Sequence, residues 1–151
     1  MASPAFIQIG RFGQWVIRLT NQTATRTGTP PAGSLVFTTG SNGGFIESVW
    51  GQPLGTNVAT CLLMFIKDPI TTNYRHCSES QLSSTLAPSS PSKLANVDLT
   101  TDLLPTALFP APTSTGSLFQ GCRLGPNTEV YLALDTTVAA GWDIFFNGGD
   151  C

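Results

Sequence analysis

The chain has 151 residues, of which seven are basic and nine acidic, whereas 33 are serine or threonine. This length indicates a single domain with room for a proper core, and a charged fraction of 11% is less than half of what globular domains usually carry. The net charge of −2 and the scattered basic residues exclude a broad nucleic-acid or anionic-lipid surface, and no apolar run has transmembrane length.

Residues 1–33 are predicted to be either an edge-strand extension of the domain or an N-terminal arm. The first ten residues lack the basic and apolar regions of a secretory signal, so we expect no cleaved leader. Phe6, Phe12 and Trp15 lie in a stretch that alternates only partly between apolar and polar residues. If the stretch is an arm on a neighbouring subunit, these three residues are the predicted interface. The edge strand is the favoured alternative.

Period-two alternation predicts strands in the middle of the chain. In residues 45–50, Ile46 and Trp50 share one face, so both are predicted to point into the core. Residues 58–67 are apolar on both faces, as expected of a central strand in a sandwich. Before them, residues 40–44 predict a tight hairpin, because Asn-Gly readily supplies positive φ.

Two further strands are predicted near the C-terminus, over residues 129–135 and 142–147. The residues between them, 136–141, predict a hairpin connection. Trp142 shares a face with the apolar residues of its strand and is predicted to lie in the core.

Two long segments, residues 78–92 and 99–116, are predicted to be irregular, because their prolines block helices and central strands. Leucines and Phe109 are expected to hold these crossovers against the core. Together the patterns predict an all-β fold for residues 1–151: one antiparallel, jelly-roll-like β-sandwich with long Pro-rich crossover loops.

Patterns for catalysis are sparse. His76, the single histidine, lies next to Cys77, but neighbouring residues of a strand point to opposite faces, so no Cys-His pair is predicted. A glycosidase needs two carboxyl groups at a set separation, so two of the three candidate glutamates would have to lie close together in the fold. These candidates are Glu47, Glu79 and Glu129. There is no nucleotide-binding motif. We therefore predict no catalytic residue, no metal ligand and no cofactor, and an enzyme is the least favoured class of function.

The four cysteines, Cys61, Cys77, Cys122 and Cys151, are treated as sites of a disulfide or cross-link. None forms a C-x-x-C pair, which argues against zinc. An even number is compatible with two disulfides in three connectivities, whereas the missing secretory signal favours free, mostly buried thiols. Cys151, as the last residue, is placed to cross-link subunits.

Several turn and strand segments carry a resemblance to a known family. They are Thr39-Gly40-Ser41-Asn42-Gly43, Gly55-Thr56-Asn57-Val58-Ala59-Thr60, Phe65-Ile66-Lys67-Asp68, Gly141-Trp142-Asp143-Ile144 and Asn147-Gly148-Gly149-Asp150. Over about residues 34–151, the chain resembles the small capsid-decoration (cement) proteins of tailed phages. The Pro-rich segment at 99–112 and the four cysteines depart from that pattern.

The resemblance implies a structural virion protein that binds the exterior of a capsid and stabilises it, because it binds only the assembled shell. Its implied partners are the major capsid protein and itself, as a homotrimer, with no nucleic acid and no membrane. It would assemble in the host cytoplasm. The alternative is a tail, baseplate or fibre subunit that binds a receptor glycan, for which Trp15 is the tryptophan least determined by the pattern.

Overall fold

The computed structural model describes residues 11–67, 69–87, 94–104 and 122–150. Within these ranges nearly all of the regular secondary structure is β-strand. The elements in chain order are β1 (Arg11–Leu19), β2 (Leu35–Thr38), β3 (Gly44–Pro53), β4 (Thr60–Lys67), β5 (Tyr74–Leu82), β6 (Val97–Asp98), α1 (Thr100–Leu103), β7 (Cys122–Leu124), β8 (Glu129–Leu134) and β9 (Trp142–Asp150).

The strands form two antiparallel sheets that pack face to face. The first sheet has the order β1-β9-β3-β6, and β7 also pairs with β3. The second sheet has the order β2-β8-β4-β5. Their inward faces share one apolar core. The prediction of an all-β sandwich is confirmed.

The strand β4, predicted to be central, lies between β8 and β5 and is buried on both faces. Leu62 and Met64 belong to the core between the sheets. Leu63 and Phe65 point the other way and form a smaller cluster with Ala133 on the outer face of the second sheet. All five side chains are inaccessible to solvent, so the two-faced apolar pattern predicted this strand correctly.

The connection from β1 to β2, residues 20–34, crosses from the first sheet to the second. The amide of Ala24 donates to the carbonyl of Leu134 (2.9 Å), and Ala24 packs on the small outer cluster. The guanidinium of Arg26 holds the carboxylate of Glu79 on β5. The connection therefore lies over the outer face of the second sheet.

The predicted C-terminal hairpin is wrong. The strands β8 and β9 lie in different sheets, with β8 between β2 and β4 and β9 between β1 and β3. The connection crosses the end of the sandwich, where the amide of Val138 donates to the carbonyl of Thr20 (2.9 Å). Trp142 is 1% exposed, so its predicted core position is confirmed.

The predicted hairpin at residues 40–44 is also a crossover between sheets, because β2 and β3 do not pair. The expected tight turn is present, with the amide of Gly43 bonded to the carbonyl of Gly40 (3.0 Å). Gly43 has φ +86°, and a Cβ there would lie 2.4 Å from the carbonyl oxygen of Leu124. Only glycine fits this position.

The two segments predicted to be irregular are partly regular. Residues 78–82 complete β5, because the hydroxyls of Ser78 and Ser80 are bonded to Leu103 and Asp102 of α1. Leu99, Leu103 and Leu104 of the second segment are buried as expected, and so is Leu82 of the first. Leu86 of the first segment is 80% exposed, so the expectation that it holds this crossover against the core is wrong. Residues 88–93 and 105–121, which include Phe109, lie outside the described part.

From Arg11 onwards, the N-terminal region is an edge strand of the first sheet. It pairs with β9 in continuous register from Arg11 to Leu19. Residues 1–10, which include Phe6, lie outside the described part of the chain.

Candidate functional site

A row of apolar side chains crosses the outer face of the first sheet. Val16 on β1, Phe145 on β9 and Trp50 on β3 lie directly opposite one another in the strand register. Val16 is 52% exposed and Trp50 39% exposed, and Phe145 between them is half-buried. We call these three residues the outer row. A contiguous group of exposed apolar side chains is a candidate contact surface.

Polar side chains border the outer row on both sides. On one side, the Gln14 amide donates to Asn147 Oδ1 (3.1 Å), and Asn147 Nδ2 donates to Ser48 Oγ (2.9 Å). On the other side, the Arg18 guanidinium donates twice to the Asp143 carboxylate (2.8 and 2.9 Å). These hydrogen bonds with Asp143 raise the pKa of Arg18. An apolar centre with a polar rim is the anatomy of a protein interface.

A β-bulge places Trp50 on this face. Ile46 lies opposite Gly148, but Ser48 lies opposite Asn147, so one extra residue is accommodated in β3. The insertion reverses the alternation, and Ile46 points inward while Trp50 points outward. The prediction that both residues share the core face is therefore wrong.

The sequence signal for this bulge was Gly148. A Cβ on Gly148 would lie 2.1 Å from the carbonyl oxygen of Phe45, so the two strands approach more closely there than any other residue allows. The run Asn147-Gly148-Gly149 has the composition of a turn, but it lies inside β9.

Of the predicted interface residues, Trp15 is the one whose side chain is described. Its ring stacks on Phe37 of β2, with ring centroids 4.2 Å apart and planes 18° apart. Trp15 is half-buried and bridges the two sheets at their adjoining edges. The backbone of Phe12 lies opposite Gly149 in the β1–β9 register. The exposed tryptophan is thus Trp50.

Three of the four cysteines are described, and all three are free thiols. Cys122 is buried, and Cys61 and Cys77 are half-buried. Burial raises the pKa of Cys77 to about 11 and that of Cys122 to about 12. Both thiols are therefore protonated and unreactive near neutral pH. Cys151 lies outside the described residues.

A polar groove of about 550 Å³ lies on the second sheet. Arg26 donates twice to Glu79 (2.5 and 2.9 Å), and this pairing lowers the pKa of Glu79. Asp135 accepts hydrogen bonds from the amide of Cys61 and the hydroxyl of Thr60, each at 2.8 Å, and its pKa is also lowered. Both carboxylates are ionised at neutral pH, so neither has the raised pKa of a general acid.

The three glutamates considered for a glycosidase lie on three different strands. Glu47 lies on β3 in the first sheet, and Glu79 is bound by Arg26. Glu129 accepts from the hydroxyl of Tyr131 and from Lys67, and these contacts lower its pKa. No two of them share a hydrogen-bond partner among the described residues.

Comparison with protein-family models finds no matching family, and a search of curated proteins finds no similar sequence. In the described part of the chain, no three histidine, cysteine or acidic side chains come together to hold a metal. No described helix is long and apolar enough to span a membrane.

Proposed function

We propose that the protein is a structural component of a tailed-phage virion that binds the exterior of the capsid as a decoration subunit. The observation that carries the proposal is the outer row, Val16, Phe145 and Trp50, on a weakly charged sheet face. Tryptophan is enriched among the residues that dominate binding energy at interfaces, and the polar side chains around it would exclude water. The partner in this proposal is the major capsid protein.

The strand order supports the same proposal. We propose that the sandwich is a jelly roll, in which β1-β9-β3-β7 faces β2-β8-β4-β5. Two Greek keys wound together in this way form eight-stranded domains that recur in viral capsids and lectins. One fold can serve many functions, so the strand order by itself supports only a broad class of proteins. The outer row is the surface that would bind the capsid.

The proposed mechanism is mass action. A protein that binds only the assembled shell stabilises that state by RT ln(1 + [L]/Kd), or about 2.7 kcal/mol per site at one hundred times Kd. Such a protein needs a rigid scaffold and a contact surface. The described residues supply both, in a two-sheet core and the outer row.

The experiment compares binding of the protein to capsids that lack it. Trp50→Ser should abolish co-sedimentation with the shells, because it removes the largest exposed apolar side chain of the row. Leu86→Ser is the control: Leu86 is 80% exposed and lies in the connection between β5 and β6, outside the outer row. Cryo-electron microscopy should place the wild-type protein on the capsid exterior. Wild-type protein found only on the tail, or full binding by Trp50→Ser, would refute the proposal.

The exposure of Trp50 also favours the alternative of a tail, baseplate or fibre subunit. An indole face next to the amide of Asn147 and the hydroxyl of Ser48 offers a glycan both stacking and hydrogen bonds. In this alternative, wild-type protein binds host glycans on an array and Trp50→Ser does not. A cryo-electron microscopy map of the particle would then show the protein on the tail and not on the capsid.

A further inference from the structure

Among the described residues, the first sheet ends in a strand edge to which no other segment is paired. The strand β1 pairs with β9 over nine residues without a bulge, and it is the terminal strand in the order of the sheet. On its other side, no backbone group of residues 11–19 is hydrogen-bonded to another segment within the described part of the chain. Unpaired amides and carbonyls along such an edge are a template for another strand.

The other described sheet edges are short or irregular. The strands β6 and β7 have two and three residues, and β2 has four residues with a register shift. The strand β5 is long, but it is bulged opposite Met64 and Phe65 and is bonded through its serines to α1. These are features by which proteins prevent strand addition. The strand β1 is neither short nor bulged and contains no proline, and its charged residues are Arg11 and Arg18, near its two ends.

We infer that β1 pairs antiparallel with β1 of a second copy of this chain, around a two-fold axis at Val16. In this register Val16 lies opposite its own counterpart, Gln14 opposite Arg18, and Trp15 opposite Ile17. Side chains that are directly opposite in an antiparallel pair lie on the same face. The outer row would then continue across the axis as six apolar side chains.

The hydrophobic pattern selects this register. An axis at Trp15 would place Val16 opposite Gln14, and an axis at Ile17 would place Val16 opposite Arg18. An axis at Gln14 would place Val16 opposite Phe12, whose partner on β9 is Gly149, so the outer row would not continue. Of these four axes, the one at Val16 both matches the 52%-exposed valine with an apolar partner and continues the outer row. In this register Arg18 lies opposite the side-chain amide of Gln14 in the other copy, so no two arginines face each other.

Self-complementarity argues for a second copy as the occupant of this edge. In the two-fold pairing, the unpaired edge of β1 in each copy is hydrogen-bonded to β1 of the other copy. No unpaired β1 edge remains to bind a third copy, so the assembly closes as a dimer. The inference is independent of what the outer row binds, since it concerns the backbone edge of the free protein. The homotrimer implied by the family resemblance is the competing assembly.

Light scattering after gel filtration tests the dimer. The wild-type protein should have about twice the chain mass of 15.9 kDa at micromolar concentration. Val16→Lys places two ammonium groups opposite each other on the axis and should return the protein to a single chain mass. Val58→Lys is the control and should remain dimeric, because Val58 is similarly exposed, at 56%, in the β3–β4 connection. A wild-type monomer or trimer, or a dimeric Val16→Lys protein, would overturn the inference.

Cross-linking tests the register. Facing residues in an antiparallel pair have Cα atoms about 4.5–5.5 Å apart, within the range of a disulfide. In Val16→Cys, an added disulfide oxidant such as diamide should take two electrons and two protons from the facing thiols and join the two chains. A thiol reductant should separate them again. The wild-type protein and Val58→Cys, treated identically, measure cross-linking through the native cysteines. If Val16→Cys cross-links no more than these controls, the register is wrong.

Discussion

The side-chain amide of Asn57 is bonded to both backbone groups of Gly141. Asn57 Oδ1 accepts from the Gly141 amide at 2.9 Å, and Asn57 Nδ2 donates to the Gly141 carbonyl at 3.0 Å. The same Oδ1 also accepts from the amide of Ala140 (2.9 Å). Asn57 is 3% exposed, so the connection between β8 and β9 is anchored to the β3–β4 connection by one buried amide.

We expect Asn57→Ala to lower the free energy of unfolding by about 3 kcal/mol, because it leaves the backbone amides of Ala140 and Gly141 without their acceptor. Urea unfolding followed by tryptophan fluorescence measures this change. Val58→Ala is the neighbouring control at an exposed position and should change stability by less than about 0.5 kcal/mol. A loss below about 1 kcal/mol for Asn57→Ala would show that water replaces the amide.

Gly148 and Gly13 form a matched pair, since they lie opposite each other in the β1–β9 register. Gly148→Ala should destabilise the protein by more than about 3 kcal/mol, because its Cβ would overlap the Phe45 carbonyl. Gly13→Ala should be tolerated, since a Cβ there meets nothing within 4 Å. Thermal unfolding of both variants checks the prediction. Equal melting temperatures would contradict the bulge.

The two tryptophans on β1 and β3 should behave in opposite ways. Trp15→Ala should cost about 3 kcal/mol of stability, because it removes a stack that joins the two sheets through Phe37. Trp50→Ala should cost less than about 1 kcal/mol, since Trp50 is on the surface. Chemical denaturation compares them. If Trp50→Ala proved the more destabilising, the outward orientation of Trp50 would be wrong.

Asp135 should make folding sensitive to acid. The amide of Cys61 and the hydroxyl of Thr60 stabilise the ionised carboxylate, so its folded pKa lies below the ordinary value of 3.8. Its contribution to stability is therefore complete above pH 3.8 and is lost as the pH falls through the lowered folded pKa. The stability difference between wild type and Asp135→Asn should be constant near neutrality and shrink in acid. A difference that grows in acid would reverse the assigned direction.

The buried thiols should resist alkylation in the folded protein. Because burial raises the pKa values of Cys77 and Cys122, iodoacetamide at neutral pH should label them only after denaturation. Peptide mass spectrometry before and after denaturation resolves each site. Fast native labelling of Cys122, which is 1% exposed, would show that β7 opens readily.

Where a local pattern is sufficient, the sequence predicted the structure. The two-faced apolar pattern identified β4 as central, because a strand buried on both sides has no polar face. The Asn-Gly run placed a turn at Gly43, because positive φ is a property of a single residue. The repeated period-two alternation indicated a β-sandwich before any contact was known.

Tertiary structure alone decided which face Trp50 occupies and which sheet each C-terminal strand joins. Alternation along a strand is local, but its phase depends on the register with the partner strand, and the bulge opposite Gly148 shifts that phase in β3. The strands β8 and β9 are neighbours in sequence, but each lies between two strands that come from distant parts of the chain. Those pairings bury apolar side chains from distant parts of the chain against one another, and long-range burial is a quantity that no short window of sequence contains.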